Sequence, residues 1–301
     1  MIISKLTGGL GNQMFQYAFG LRLSKKNKLP YKIDIGEYKD AVADPVKGLR
    51  VFSLSHFNIS VRVASNEEIQ KFDLYLKKPF FKKLLRFYTG KNSYFKRKYI
   101  IEPESNYFRF DSRILNYSIK NDVYVEGFWQ SEKYFNEIED VIRKEFSFKN
   151  EPDKINKKII EDIQAENSVS IHIRHGDNAN KYAQAHGVLP IEYYHTAIEK
   201  LLVDVVNPIF YVFSDDPKWA EENLKLSHKT LYISHNGDEK NYEDLRLMTH
   251  CRHHIIGNST FSWWGAWLGK KPNQIVFASK TYHTNVDISG SDFIPPNWHL
   301  V

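Results

Sequence analysis

The sequence predicts an α/β protein built on a doubly wound parallel sheet. In the second half, strand-like stretches alternate with stretches of helical periodicity over about 110 residues, as βαβ units do. A strand, a glycine-rich loop, a helix and a second strand also open the chain, the start of another α/β layer. Ligands of such sheets sit beyond the carboxyl ends of the strands. The residues there are polar and turn-forming: His172-Ile-Arg-His-Gly-Asp177, Ser214-Asp-Asp216 and Gly257-Asn-Ser-Thr-Phe261.

Element by element, Ile2-Ile-Ser-Lys-Leu-Thr7 reads as a short strand. From Asn12 the apolar positions Met14, Tyr17, Ala18 and Leu21, joined by Phe15, Phe19 and Leu23, follow helical spacing. Tyr31-Lys-Ile-Asp-Ile35 is the next strand. Between residues 40 and 120 the pattern weakens to a helical patch at Asn66 to Asp73, a basic segment, and strand or loop pieces from Asn106 to Leu115. Val123-Tyr-Val-Glu126 reads as a strand followed by a helix presenting Tyr134, Phe135, Ile138, Ile142 and Phe146. Glu151-Pro-Asp-Lys breaks the pattern and places a domain boundary there, giving domains 1–150 and 151–301. Beyond it, strands are expected at Val169-Ser-Ile-His-Ile173, Ile209-Phe-Tyr-Val-Phe213, Leu231-Tyr-Ile, His254-Ile-Ile and Gln274-Ile-Val-Phe277. Helices are expected from Ile191 to Asp204 after Pro190, from Asp216-Pro217, from Tyr242 to His250 and from Ser262 to Leu268.

Composition narrows the function classes. With 42% hydrophobic and 26% charged residues the chain is too apolar to be disordered. It has no apolar run of about 18 residues to span a bilayer. The first residues reach Gly8-Gly9 too soon for the apolar core of a signal peptide, so a cytoplasmic protein is the expectation. A single cysteine, Cys251, excludes an intramolecular disulfide framework and a cysteine-cluster metal site. The net charge of +6 is local: residues 77–98 hold nine Lys/Arg and no Asp or Glu, so the remainder carries −3. A nucleic-acid-binding protein, suggested by the charge and by 15% aromatic residues, is therefore supported by one segment alone, and no RNA-recognition motif is visible.

Gly8-Gly-Leu-Gly-Asn-Gln13 joins a strand to a helix, where backbone N–H groups can approach a phosphate or diphosphate; a tight turn needing glycine is the plain alternative. It resembles a dinucleotide fingerprint, with Asp34 at the end of the following strand, but Met14 stands where the third glycine belongs. A nicotinamide-dependent oxidoreductase is thereby disfavoured. His172 and Arg174 share one face of a strand, and the permanent fork of an arginine can neutralise a leaving diphosphate. A structural Arg174–Asp177 salt bridge competes with that reading. Asn258-Ser-Thr-Phe261 opens a helix with hydroxyl and amide groups, suited to an anion or simply to capping. Trp263 and Trp264 fit core packing better than ligand stacking. Asp244, Asp215 and Asp216 could read a base or ribose hydroxyl, or could be ordinary helix-start carboxylates. No Asp-x-Asp metal clamp, P-loop or Gly-x-Ser-x-Gly elbow occurs.

Three blocks, Gly8-Gly-Leu-Gly-Asn-Gln-Met-Phe-Gln-Tyr-Ala18, His172-Ile-Arg-x-Gly-Asp177 and Asn258-Ser-Thr-Phe-Ser-Trp-Trp-Gly-Ala-Trp-Leu268, resemble the signature of the α-1,2-fucosyltransferases of glycosyltransferase family eleven. Gly127-Phe-Trp-Gln, His186-Gly-Val, Phe213-Ser-Asp-Asp and Asp244-Leu-x-Leu-Met248 fall between them in the expected order, leaving only residues 40 to 120 unmatched. The resemblance implies a GT-B-like architecture of two Rossmann-type domains facing across a cleft, with an acceptor-side domain at 1–150 and a GDP-fucose-binding domain at 151–301. It implies inverting, metal-independent transfer of L-fucose from GDP-β-L-fucose to the 2-hydroxyl of a terminal galactoside, with no cofactor beyond the donor. Fucosyl transfer with another linkage is the alternative within the family.

Carried onto this chain, the resemblance makes Arg174 the essential arginine, with Asp177 first and His186 second as candidate bases. Donor contacts are expected from Gly9, Leu10, Gly11, Asn12, Gln13, His172, Asp215, Asp244, Asn258, Ser259, Thr260 and Phe261. Asn12 and Gln13 would lie near the fucose–acceptor junction and Asp244 near guanine or ribose. His175 departs from the family, which usually has a second arginine there. The expected partners are GDP-fucose and a galactose-terminated oligosaccharide, with no nucleic acid. Phe80, Phe81, Leu84, Leu85 and Tyr88 among the cations of 77–98 could form a face docking on the inner side of the plasma membrane, against a lipid-linked acceptor; a solvated helix packed on the first domain is the alternative.

Overall fold

The computed structural model describes residues 1–38, 50–73, 97–175, 187–282 and 287–301. Asp177, His186 and residues 77–96 of the basic segment lie outside the described residues. The chain divides into two compact units. One takes its residues from the chain start, Val51–Ser147 and Ser291–Pro295, and the other from Phe148–Gly290 and Pro296–Val301.

The first unit is built on an all-parallel sheet of β1 (Ile2–Lys5), β2 (Tyr31–Asp34), β3 (Arg62–Val63), β4 (Tyr99–Ile101) and β5 (Val123–Glu126), in the order β3-β2-β1-β5-β4. Parallel sheets are covered on both faces, and the apolar run of β1 reflects that. On one face Ile3, Tyr99, Ile101 and Tyr124 pack with Phe72, and Tyr99 and Tyr124, paired in register, stack at 5.4 Å. Helix α1 (Leu10–Asn27) also packs on the sheet, so closely that a Cβ at Gly20 would lie 2.2 Å from Ser4 Oγ and 2.4 Å from Tyr31 Oη. Every α1 residue from Leu10 to Leu23 except Asn12 is buried, because the opposite side of the helix is covered as well. There Phe19 stacks on Trp129 at 4.1 Å, and Phe15 and Tyr17 meet Phe135 and Phe146.

Two expectations in this unit change. The stretch from Asn106 to Leu115 carries a 3₁₀ turn at Glu104–Asn106 and the start of a short helix, α3 (Ser112–Asn116), capped by Asp111; α2 (Asn66–Gln70) precedes it. The helix expected to present Tyr134 to Phe146 is broken into 3₁₀ turns at Glu132–Tyr134 and Asn136–Ile138 before α4 (Glu139–Glu145). Phe135, at φ −139°, leaves helical geometry, which lets adjacent Tyr134 and Phe135 both be fully buried. The last piece of this unit is local in space and remote in sequence. Asp292 Oδ2 accepts the Phe110 N–H at 2.7 Å, its carbonyl accepts from Ser131 Oγ at 2.6 Å, and its carboxylate pairs with Lys133.

The second unit holds six parallel strands: β6 (Ser168–Ile173), β7 (Ile209–Ser214), β8 (Thr230–Ile233), β9 (His253–Ile255), β10 (Val276–Ala278) and β11 (His299–Leu300), ordered β11-β10-β9-β6-β7-β8. Counted from β6, this is the 3-2-1-4-5-6 order of the Rossmann sheet. Helices α5 (Lys154–Ala165), α6 (Ile191–Leu201), α7 (Pro217–Asn223), α8 (Asn241–His250) and α9 (Thr260–Leu268) form the other layers. Val169, Ile171, Ile173, Phe210 and Val212 pack against α6, while Tyr211 and Phe213 pack with Ile163, Leu247 and Met248. Trp263 and Trp264 are fully buried in α9, as core residues. The strand order reverses direction between β6 and β9, and in the first unit between β1 and β5. Ligand crevices of open α/β sheets form at such switch points.

Candidate active site

At the second unit's switch point, β6 delivers His172 and Arg174 and β9 delivers Gly257 to Phe261. The two loops approach closely: a Cβ at Gly257 would lie 2.9 Å from the His172 carbonyl oxygen and 3.4 Å from His172 Nδ1. The His172 ring lies 5.7 Å from that of Phe261, and its Nδ1 is buried with no hydrogen-bond partner among the described residues. Burial lowers the His172 pKa to about 4, with nearby Arg174 pushing the same way and the Asp215 carboxylate opposing, so the imidazole is neutral at pH 7.

Arg174 is the first residue beyond the β6 ladder. The Tyr194 hydroxyl, which burial keeps protonated, lies close to the Arg174 backbone. The following His175 N–H donates to Asp215 Oδ1 at 2.7 Å. Asp215 therefore anchors this loop through its own carboxylate. Across the crevice, Ser259 caps α9 by accepting the Phe261 N–H, and Thr260 is buried at the same helix start. Asn258 Nδ2 donates to the carbonyls of Tyr282 at 2.8 Å and Gly187 at 3.1 Å, building the loop from which Ser259 and Thr260 project. A neutral imidazole with the Arg174 charge near it thus lies close to the loop that opens a nine-residue helix, whose positive end suits an anion.

Asp244 belongs to a different part of the same sheet edge, after β8. It sits in the first turn of α8 and accepts from Asn236 Nδ2 at 2.7 Å. Asn236 and Asn156, from α5, bond each other reciprocally, Asn156 Nδ2 to Asn236 Oδ1 at 2.8 Å and Asn236 Nδ2 to Asn156 Oδ1 at 3.2 Å. Its position is thus fixed by a buried amide pair that no motif announced.

The remaining expected donor residues, Gly9 to Gln13, occupy the first unit's switch point. Gly8 adopts φ +76°, and Gly9 is the N-cap of α1. Fully buried Gln13 uses its amide inside the protein. Its Nε2 donates to the carbonyls of Gly8 at 3.0 Å and Val51 at 2.8 Å, and its Oε1 accepts the Ser53 N–H at 3.0 Å. Leu10 and Gly11 are buried, whereas partly exposed Asn12 accepts from Gln130 Nε2 at 2.9 Å. Gln130 ends the Gly127-Phe-Trp-Gln turn, which a buried carboxylate shapes: Glu102 Oε2 accepts the Phe128 N–H at 2.6 Å and the Trp129 N–H at 3.1 Å. Burial pushes the Glu102 pKa up to about 7, against the pull of those two N–H groups. Sequence reasoning did not single out Glu102; its signal was the Gly127 turn, where a Cβ would come 2.4 Å from Glu102 Cβ. Among the described residues no group of three or more His, Cys, Asp or Glu side chains could hold a metal ion, and no helix is long and apolar enough to cross a membrane.

The glycosyl transferase family 11 model matches residues 1–301. The chain is 32% identical over 307 aligned positions to an alpha-1,2-colitosyltransferase of Escherichia coli, covering 99% of this chain and 98% of the relative. It is 33% identical to the O-antigen biosynthesis glycosyltransferase WbnK of the same species, covering 93% and 94%. A galactoside 2-alpha-L-fucosyltransferase of Caenorhabditis elegans is 26% identical, over 67% of this chain and 59% of the relative. Among solved structures, the NodZ alpha-1,6-fucosyltransferase co-crystallized with GDP superposes with a TM-score of 0.54 at 15% identity, covering 92% and 94% of the two chains. A mutant of Arabidopsis thaliana FUT1 in complex with GDP also scores 0.54, at 11% identity, over 92% and 70%. The two parallel-sheet units are those of the GT-B-type fold. This chain belongs to glycosyltransferase family 11, and its enzyme class is that of a glycosyltransferase.

Proposed function

We propose that the protein transfers L-fucose from GDP-β-L-fucose to the 2-hydroxyl of a terminal galactoside, with inversion at the anomeric carbon and without a metal ion. What supports the reading is the family match over the whole chain together with the close approach of the loops after β6 and β9, where Gly257 lies against His172. The family match and the galactoside 2-alpha-L-fucosyltransferase relative support the linkage and the acceptor.

The acceptor O2 attacks C1 of fucose on the face opposite the diphosphate. The C1–O bond breaks and its electron pair stays on a β-phosphate oxygen, so negative charge grows there while the sugar becomes oxocarbenium-like. Arg174 and the backbone N–H groups at the α9 start meet that charge; one such donor is typically worth about 2.7–4 kcal/mol in the barrier. Neutral His172 can hydrogen-bond to the donor without adding charge. Asp177, or in second place His186, takes the acceptor proton. Asp244 reads the guanine or ribose, and Asn12, held by Gln130, faces the sugars.

A second donor is favoured by one observation, the colitosyltransferase that aligns with nearly the whole chain. Colitose is L-fucose without its 3-hydroxyl. A site built to bond that hydroxyl rejects the deoxy sugar by about 10⁴-fold, whereas a site that leaves it unbonded does not. The deciding experiment incubates the protein with GDP-fucose or GDP-colitose, a panel of galactosides and excess chelator, and reads the product linkage by NMR. An α-1,2-fucosyl galactoside formed under chelation is the expected result; no product, another linkage or loss of turnover with the metal overturns the corresponding part.

A further inference from the structure

We infer that His175 is a positioning residue for Arg174: its ring, stacked on Trp219 and bonded to Asp216, and its backbone N–H, bonded to Asp215, pin the strand end from which the guanidinium reaches the donor diphosphate. The inference rests on the proposed role of Arg174.

The last rung of the β6–β7 ladder pairs Ile173 with Ser214. Beyond it the sheet no longer constrains the chain, yet Arg174 needs a fixed backbone if its fork is to meet a phosphate at hydrogen-bonding distance. His175 supplies that constraint from the turn between β7 and α7. Its N–H reaches Asp215 Oδ1 at 2.7 Å, its Nδ1 lies 3.0 Å from Asp216 Oδ2, and its ring lies 3.9 Å above Trp219 at 11°. The receiving turn is itself fixed. Asp216 Oδ1 accepts the Trp219 N–H at 3.1 Å as the cap of α7, and the Asp216 N–H donates to Ser214 Oγ at 3.0 Å. The two oxygens of one carboxylate are thus divided between capping a helix and holding the imidazole. The Asp216 carboxyl is held below its usual range, first by the Trp219 N–H and then by His175, so it accepts and Nδ1 donates. Both the imidazolium and the neutral Nδ1–H tautomer can make that bond.

Arg174 is therefore held through the residue that follows it, by the His175 clamp on the turn between β7 and α7. Displacing a charged group by about 1 Å can cost 10²-fold in rate. The test is a double-mutant cycle on Arg174→Ala and His175→Ala, read by GDP affinity in calorimetry and by kcat and KM for GDP-fucose, with circular dichroism as the fold control. His175→Ala alone should weaken GDP binding about tenfold and lower kcat/KM by about 10- to 100-fold. In the Arg174→Ala background it should weaken GDP no further. His175→Asn, which keeps a donor at the Nδ1 position without the ring, should recover part of the loss, and it takes the place of the alanine variant in the cycle if that variant does not fold. Trp219→Leu should reproduce the His175→Ala kinetics. Additive losses in the cycle, or unchanged kinetics in His175→Ala, overturn the clamp while leaving the proposed reaction standing. A parent protein that binds neither GDP nor GDP-fucose overturns both.

Discussion

Replacing Glu102 by glutamine tests the electrostatics of the first unit's loops. The Glu102 side chain is 2% exposed at the end of β4, and one oxygen, Oε2, receives both the Phe128 and Trp129 N–H groups. A neutral amide can present its oxygen to the same two donors, so the turn keeps its shape. What changes is the charge. The native pKa is about 7, against an ordinary value of 4.5, because burial disfavours the carboxylate more than the two bonds favour it. A group whose pKa is raised by folding stabilises the native state fully below the unfolded pKa and loses that contribution as pH rises through the folded pKa. A shift of this size corresponds to about 3 kcal/mol, lost between about pH 4.5 and pH 7. Urea unfolding of parent and Glu102→Gln, followed from pH 4.5 to pH 8, should therefore show their stability difference moving in favour of glutamine by about 3 kcal/mol as pH rises. An unpaired NH₂ group in the variant shifts the whole difference by a constant of about 1–3 kcal/mol without changing its slope. Parallel pH profiles for the two proteins would show that Glu102 titrates normally, and the account of a buried, destabilised carboxylate would fail.

Other expectations concern the reaction and the loops. Arg174→Ala should lower turnover by two or more orders of magnitude in a protein that still folds, since about 2.7–4 kcal/mol of charge stabilisation is lost; near-parent turnover would refute the role. Asp177→Asn should remove the acidic limb of the kcat/KM profile if Asp177 takes the acceptor proton, and an unchanged profile would transfer the base to another group. Gln13→Ala should lower stability by about 1–3 kcal/mol for each buried group left unpaired, a loss visible in the melt, because all three bonds of its amide are internal. Flotation with anionic vesicles at low salt should carry the protein upward if the basic segment 77–98 docks on a membrane, and an unbound fraction at the bottom would remove that idea.

The second unit was legible because its central strands carry clear patterns. Val169–Ile173 alternates apolar and polar residues and Ile209–Phe213 reads as an apolar run, and each is followed at once by turn residues, so both strands and strand-end residues could be found from the sequence. The illegible elements carry no such pattern. Strand β3 is two exposed residues, Arg62 and Val63, at a sheet edge, and β11 is the pair His299–Leu300 more than 40 positions after β9. Strand β4, Tyr99–Ile101, is three apolar residues directly after the basic segment, too short for a periodicity to emerge. The break before α4 depends on tertiary burial of adjacent Tyr134 and Phe135, which a helical period assigns to one continuous face.

Site residues divide along a different line. A polar residue beside a strand end can meet a ligand or complete the loop that presents its neighbour, and sequence alone scores the two alike. Gln13, Asn258 and Asp215 hold backbone groups of their own loops, at Gly8 and Val51, at Gly187 and Tyr282, and at His175. Each supports the loop of a residue used in the proposed reaction, respectively Asn12, Ser259 and, through His175, Arg174. Ordered loops at a switch point need such interior bonds, because chain beyond the last ladder rung has no sheet to satisfy its N–H and C=O groups. The same necessity accounts for Glu102, a carboxylate far from any motif that closes the Gly127 turn, and for His175. Trp219 and Asp216 provide that residue with a flat partner and an acceptor. Substitutions should accordingly sort by readout: loss of a loop-building residue lowers the melt and activity together, whereas loss of a presented residue lowers activity alone.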